Sequence, residues 1–168
     1  MTLSMSTASV PVMIRVLTNL AAILEKGAAN CEARKIDPAV MVNGRIAPDM
    51  FPLKKQVQLA SDIAKAGGAR LSGQEPPSYE DSEATFPELI ERVRKTIAFL
   101  EGVDRAKIDG SESRAISWKA RDTVRTMEGY PYLFHYILPN LYFHASMAYA
   151  ILRHTGVDVG KGDWLGVL

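Results

Sequence analysis

Polar residues that interrupt apolar helical stripes mark where this 168-residue chain could do chemistry. Asn140 and His144 are spaced i, i+4 and share one helix face, which Met147 and Ile151 continue. Asp49 and Gln56 stand two turns apart, on a stripe with Leu53, Ala60 and Ile63. A buried polar group left unpaired costs about 1–3 kcal/mol, so all four need partners or water. If the two stripes meet, they set a carboxylate, two carboxamides and an imidazole around one volume. Asp49, Gln56, Asn140 and His144 are therefore the candidate ligand pocket, and no residue stands out as catalytic.

Each of the four also has a purely structural role open to it. Asn140 follows Pro139 and can satisfy a carbonyl freed by a proline kink. Asp49 can cap the second helix, where carboxylates are favoured. Gln56 and His144 can be hydrogen-bonded interior groups. His154 falls in the last turn of its helix, where the dipole favours a cation. Cys31 is the only cysteine, which precludes an intrachain disulfide and points to a reducing compartment. It has no neighbouring His or Cys that would mark it as a nucleophile. A Gly-rich phosphate loop, a nucleophile elbow and a zincin motif are all missing from the sequence.

Four amphipathic segments must position these residues. The first is expected over residues 7–33, capped by Ser6 or Thr7, with Val10, Met13, Ile14, Leu17, Leu20, Ala21, Leu24 and Ala28 recurring at spacings of three and four. Pro38 and Gly44 bracket a connection. Pro48 and Pro52 then open a second helix that ends at Gly73, with Leu53, Val57, Ala60, Ile63, Ala64, Gly67 and Leu71 as its buried stripe. The Gly67-Gly68 pair weakens that helix and suggests a close helix–helix approach. A polar loop over residues 74–84 leads to a capping box, Thr85 with Glu88, and to a third helix using Leu89, Val93, Ile97 and Leu100. Ile116, Trp118 and Ala120 alternate with polar residues, and a second run follows from Thr123 to Met127, which predicts a β-hairpin inserted before the last helix. The fourth helix, residues 130–154, is apolar nearly all round and should be central or covered by a second subunit. Pro139 should kink it. The tail adds an apolar hook, Trp164-Leu165.

Composition bounds the rest. Hydrophobic residues make up 47% and charged residues 23%, the balance of one globular domain spanning residues 1–168. A net charge of +1, from 20 basic and 19 acidic residues, offers no basic stripe for nucleic acid. No stretch of about 18 uncharged apolar residues marks a membrane span, and a cytoplasmic location is expected.

Several stretches resemble a known family. Ala47-Pro48-Asp49-Met50-Phe51-Pro52-Leu53, Gln56-Val57-Gln58, Leu138-Pro139-Asn140-Leu141-Tyr142-Phe143-His144 and Ala148-Tyr149-Ala150-Ile151-Leu152-Arg153-His154 look like the domain of unknown function 1993. That resemblance implies an all-α, DinB-like four-helix bundle, often dimeric, here with the small hairpin between its third and fourth helices. In the wider group three histidines, one on the second helix and an H-x-x-x-H pair on the fourth, bind a divalent metal, and some members are thiol transferases or hydrolases. Carried onto this chain, the pair falls on Asn140 and His144, and the second-helix histidine falls near Gln56 to Leu59, where there is none. Amide oxygens are poor substitutes for imidazole toward transition metals. The leading expectation is thus a homodimeric small-molecule-binding or structural module without a cofactor. The alternative is a metal-dependent enzyme with a divalent metal on His144 and Asp49.

Overall fold

A computed structural model describes residues 4–120 and 122–166. Helix α1, Met5–Arg34, starts earlier than its periodicity predicts, because Ser4 and Thr7 form a reciprocal capping box. A short helix, α2, Pro38–Val42, occupies what reads as a plain connection, with the Asp37 side chain accepting from the Ala39 amide. Helix α3, Leu53–Leu71, begins only after Pro52. Asp49 therefore lies in the preceding turn and not on a stripe with Gln56, which corrects the sequence reading. The Thr85–Glu88 capping box opens α4, Phe86–Glu101, as expected.

A 3-10 turn, Arg105–Lys107, leads into the hairpin. Strands β1, Ala115–Ala120, and β2, Thr123–Glu128, run antiparallel, with Ala115 opposite Glu128 and Ala120 opposite Thr123. Ile116 and Trp118 turn inward from β1, and Trp118 packs on Tyr132 and Tyr136 at ring separations of 5.0 and 4.8 Å. A first helical turn, α5, Gly129–Pro131, then winds through a π-helical turn, Tyr132–Ile137, into α6, Leu138–His154. The irregularity that Pro139 predicts takes this form: a widened turn directly before a residue that has no amide donor. A last short helix, α7, Lys161–Leu165, folds back on α1. Asn19 donates to the Trp164 carbonyl at 3.0 Å, and Trp164 packs against the core.

The long helices close a four-membered bundle in which α3 packs on α6 and α4, and α1 packs on the other sides of the same two helices. Val10, Met13, Leu17, Leu20 and Leu24 of α1 are sealed in its core. By length and mean hydropathy, 1.6 over 18 residues, α1 could cross a bilayer, yet 44% of that stretch is buried within the bundle. Helix α6 is less completely covered than its composition predicts: Leu141, Ala145, Ala148, Ile151 and Leu152 are buried, whereas Tyr142 and Phe143 remain 40% and 54% exposed.

The adjacent glycines set how closely α3 meets its neighbours. A Cβ on Gly67 would stand 2.7 Å from Ile137 Cγ2 and 3.1 Å from Met13 Sδ, and one on Gly68 would stand 2.5 Å from Leu100 Cδ2. Ile137 is β-branched and has little rotamer freedom to yield. Gly67→Val should therefore cost about 1–3 kcal/mol in urea denaturation through overpacking. Gly162→Val in α7, where a Cβ meets nothing within 4 Å, serves as the control and should change far less.

Candidate functional site

Where α3 meets α6, His144 Nδ1 lies 2.8 Å from Gln56 Oε1. The amide's orientation is fixed from its other end, because Gln56 Nε2 donates to the Phe51 carbonyl at 3.3 Å. An amide oxygen only accepts, so Nδ1 carries the proton and the neutral ring keeps its lone pair on Nε2. Among the described residues Nε2 has no hydrogen-bond partner, and it is not among the side-chain atoms sealed from solvent. Burial lowers the His144 pKa from the usual 6.5, so the imidazole is neutral near pH 7. Gln56 itself is 2% exposed. Phe143 meets the imidazole edge to face at 5.1 Å, and Phe51 and Phe143 are both 54% exposed. One exposed aromatic ring, that of Phe143, thus stands directly against the polar pair.

Asn140 lies one turn before His144 but is turned to its own helix: Nδ2 donates to the Tyr136 carbonyl at 2.6 Å. Tyr136 lies four residues before Asn140 itself, so this bond does not repair the carbonyl that Pro139 leaves without an amide donor. Asp49 is exposed, and no hydrogen bond or ion pair joins it to the other three. The folded chain therefore brings Gln56 and His144 together, leaves Asn140 adjacent, and keeps Asp49 out of that hydrogen-bonded group.

The profile of "Domain of unknown function (DUF1993)" matches residues 5–165. The chain belongs to the DUF1993 family. A crystal structure at 1.83 Å of a DinB family member protein from Shewanella denitrificans is 39% identical to it and superposes with a TM-score of 0.87. The match covers 97% of this chain and 92% of that one. The bundle of this DUF1993 protein is accordingly DinB-like. Among curated proteins none matches this chain.

The donor set in this DUF1993 bundle does not fit the metal that the resemblance implies. Among the described residues no three His, Cys, Asp or Glu side chains gather closely enough to hold an ion. At the expected position one imidazole faces a carboxamide, and that carboxamide is spent on the imidazole itself.

A second polar cluster escaped the sequence reading. Arg92 of α4 is 3% exposed, and its guanidinium gathers carboxylates from two directions. Nη2 meets Asp62 of α3 at 2.9 Å and Asp81 at 3.0 Å, and Nη1 meets Glu83 at 2.9 Å. Nη1 also donates to the Glu80 carbonyl at 2.9 Å. Buried Lys65 pairs with Asp62 at 2.9 Å and stands 3.8 Å over the Tyr79 ring. Lys55 binds the other oxygen of Asp81 at 2.5 Å, and Gln58 donates to Glu83 at 2.9 Å. The signal was present in the sequence: Arg92 sits between Leu89 and Thr96 on the buried face of α4, and Lys65 follows Ala64 on that of α3.

The depressed His144 pKa ties stability to pH. Between the folded and unfolded values the unfolded chain binds more protons at this site. The site's contribution is therefore fully present above about pH 6.5 and is lost as pH falls through the folded value. Urea denaturation of the wild-type protein should show this loss as pH falls below about 6.5, and His144→Gln should remove that part of the slope. An unchanged slope in the variant would mean that other groups set the acid sensitivity.

Proposed function

We propose that this protein is a dimeric small-molecule-binding bundle whose site is the Gln56–His144 floor, with the histidine-metal site of related bundles lost. The observation that carries this reading is the 2.8 Å bond between Gln56 and His144 Nδ1, which fixes the tautomer and leaves one acceptor, Nε2, pointing away from its partner. A fixed acceptor beside exposed aromatic rings suits a small, largely apolar molecule that brings one hydrogen-bond donor. Affinity for such a molecule comes from burial against Phe51 and Phe143, and orientation comes from Nε2.

The competing reading, a metal-dependent enzyme, needs Nε2 as one ligand and further donors that the described residues do not gather there. Elemental analysis of the purified protein, before and after a chelator, separates the two. The binding-module reading expects no stoichiometric metal and no loss of folding with the chelator. Close to one metal per chain, lost in His144→Ala, would overturn it. Added zinc, nickel or manganese should also leave the melting temperature and the His144 titration unchanged.

The dimer rests on the apolar side chains that α6 and the tail leave uncovered, Tyr142 and Leu165 among them. Light scattering at micromolar concentration should return twice the chain mass of 18.5 kDa. A mass of one chain would remove the dimer and leave the binding site standing.

A further inference from the structure

Residues 74–84 cross the seam between α3 and α4 as a strap without regular secondary structure, and none of its side chains is buried. Charge holds it there. Asp81 spans Arg92 and Lys55, and Glu83 lies across Arg92 Nη1, with its oxygens at 2.9 and 3.1 Å, while also accepting from Gln58. Within this bonded network α3 and α4 supply three cations, Lys55, Lys65 and Arg92, but one carboxylate of their own, Asp62. The helices alone thus carry a surplus of two positive charges (three minus one), and Asp81 and Glu83 of the strap supply the two negative ones.

Two further features show that the strap does not exhaust this cluster. Arg92 Nε is buried with no acceptor, although both terminal nitrogens are bonded. Lys95 has no carboxylate within ion-pairing distance among the described residues and stands 4.3 Å over the Tyr79 ring. Hollows run along both flanks of the strap, about 850 Å³ on the α4 side, where Arg92 and Lys95 line it, and about 320 Å³ on the α3 side, where Lys65 lines it. A lifting strap has space on either side of it.

We propose that Lys55, Lys65 and Arg92 form a binding site for a small doubly charged oxyanion, and that Asp81 and Glu83 of the strap occupy it as a built-in competitor. Arg92 offers the oxyanion a planar fork, whose Nη1 now holds both oxygens of Glu83 and whose Nη2 holds Asp81. Gln58 and the lysines supply the remaining donors, and Asp62 keeps Arg92 and Lys65 in place. The ligand enters as the strap leaves, so its apparent affinity is its intrinsic affinity multiplied by the fraction of molecules in which the strap is open.

The test compares wild type with Asp81→Asn/Glu83→Gln, which keeps the shape of the strap and removes its charge. Calorimetric titration with inorganic phosphate, and separately with succinate, in phosphate-free buffer should show at least about tenfold tighter binding in the variant. Binding of phosphate alone, or of succinate alone, selects the chemical source of the dianion and supports the site. In wild-type protein, phosphate should accelerate amide hydrogen exchange in residues 74–84, whereas acetate at the same ionic strength should not. Arg92→Lys should abolish both responses. Equal affinity in the two proteins, absence of binding in both, or equal acceleration by acetate would overturn the proposal, the last by reducing the effect to salt screening. If the double variant does not fold, the wild-type exchange experiment decides alone, and no acceleration by phosphate is then the overturning result.

Discussion

Both buried polar clusters of this bundle, Gln56–His144 and the Arg92 network, are organised around α3, and α3 can take its place because Gly67 and Gly68 carry no side chains. One glycine receives Ile137 and Met13, the other Leu100, so a single helix turn is packed from the α1, α4 and α6 sides. That approach fixes α3 along its whole length. Near its start Gln56 is brought to His144 across the α6 seam, and in its middle Asp62 and Lys65 are brought to Arg92 across the α4 seam. Ser61 and Thr96 close the same seam with a buried hydroxyl pair at 2.6 Å. Glycine's lower helix propensity, about 1 kcal/mol per residue relative to alanine, is offset by contacts that a larger residue would forbid.

The two seams answer the same requirement with opposite chemistry. Across α3 and α6 a neutral amide meets an imidazole kept neutral by burial, so no net charge needs compensation. Across α3 and α4 a guanidinium is buried, and taking that charge out of water is tolerable only with carboxylates around it. Asp62 alone is insufficient, which is why an irregular, polar segment remains pinned to the helices while burying no apolar side chain. Asp81 shows the result: although its own burial opposes ionisation, its bonds to Lys55 and Arg92 hold its pKa below the usual carboxylate value.

Local features were legible in the sequence, and long-range pairings were not. The spacing of Leu89, Val93 and Leu100 and the Thr85–Glu88 box placed α4, and the alternation of Ile116 with Trp118 placed the hairpin, because each signal lies within a few residues. The resemblance carried by Leu138 to His144 supplied the bundle itself. The Asp49 stripe failed because two prolines were read as a helix opening, when only Pro52 stands at the helix boundary and the segment around Pro48 is a turn. Of the pocket, the facing of Gln56 and His144 is legible as two polar-bearing stripes that can meet. Arg92 and Lys65 are legible as charges on buried faces, but their partners are not, since Asp62, Asp81 and Glu83 lie in a different helix or in a loop from Arg92 and nothing local pairs them.

What the Gln56–His144 bond does to the imidazole decides the character of the site. In histidine-metal centres one ring nitrogen binds the ion while the other donates to a carboxylate, carbonyl or water that orients the ring. Here the orienting acceptor stands where the resemblance led us to expect a ligand: Gln56 holds Nδ1–H, and its own amide is anchored on the Phe51 carbonyl. The ring is as well oriented as a metal ligand would be, yet the group orienting it has nothing left to give an ion. On the proposed small-molecule reading, a neutral Nε2 without partners for a cation serves as the acceptor for a hydrogen-bond donor, and the exposed Phe143 ring beside it favours an apolar molecule that brings one.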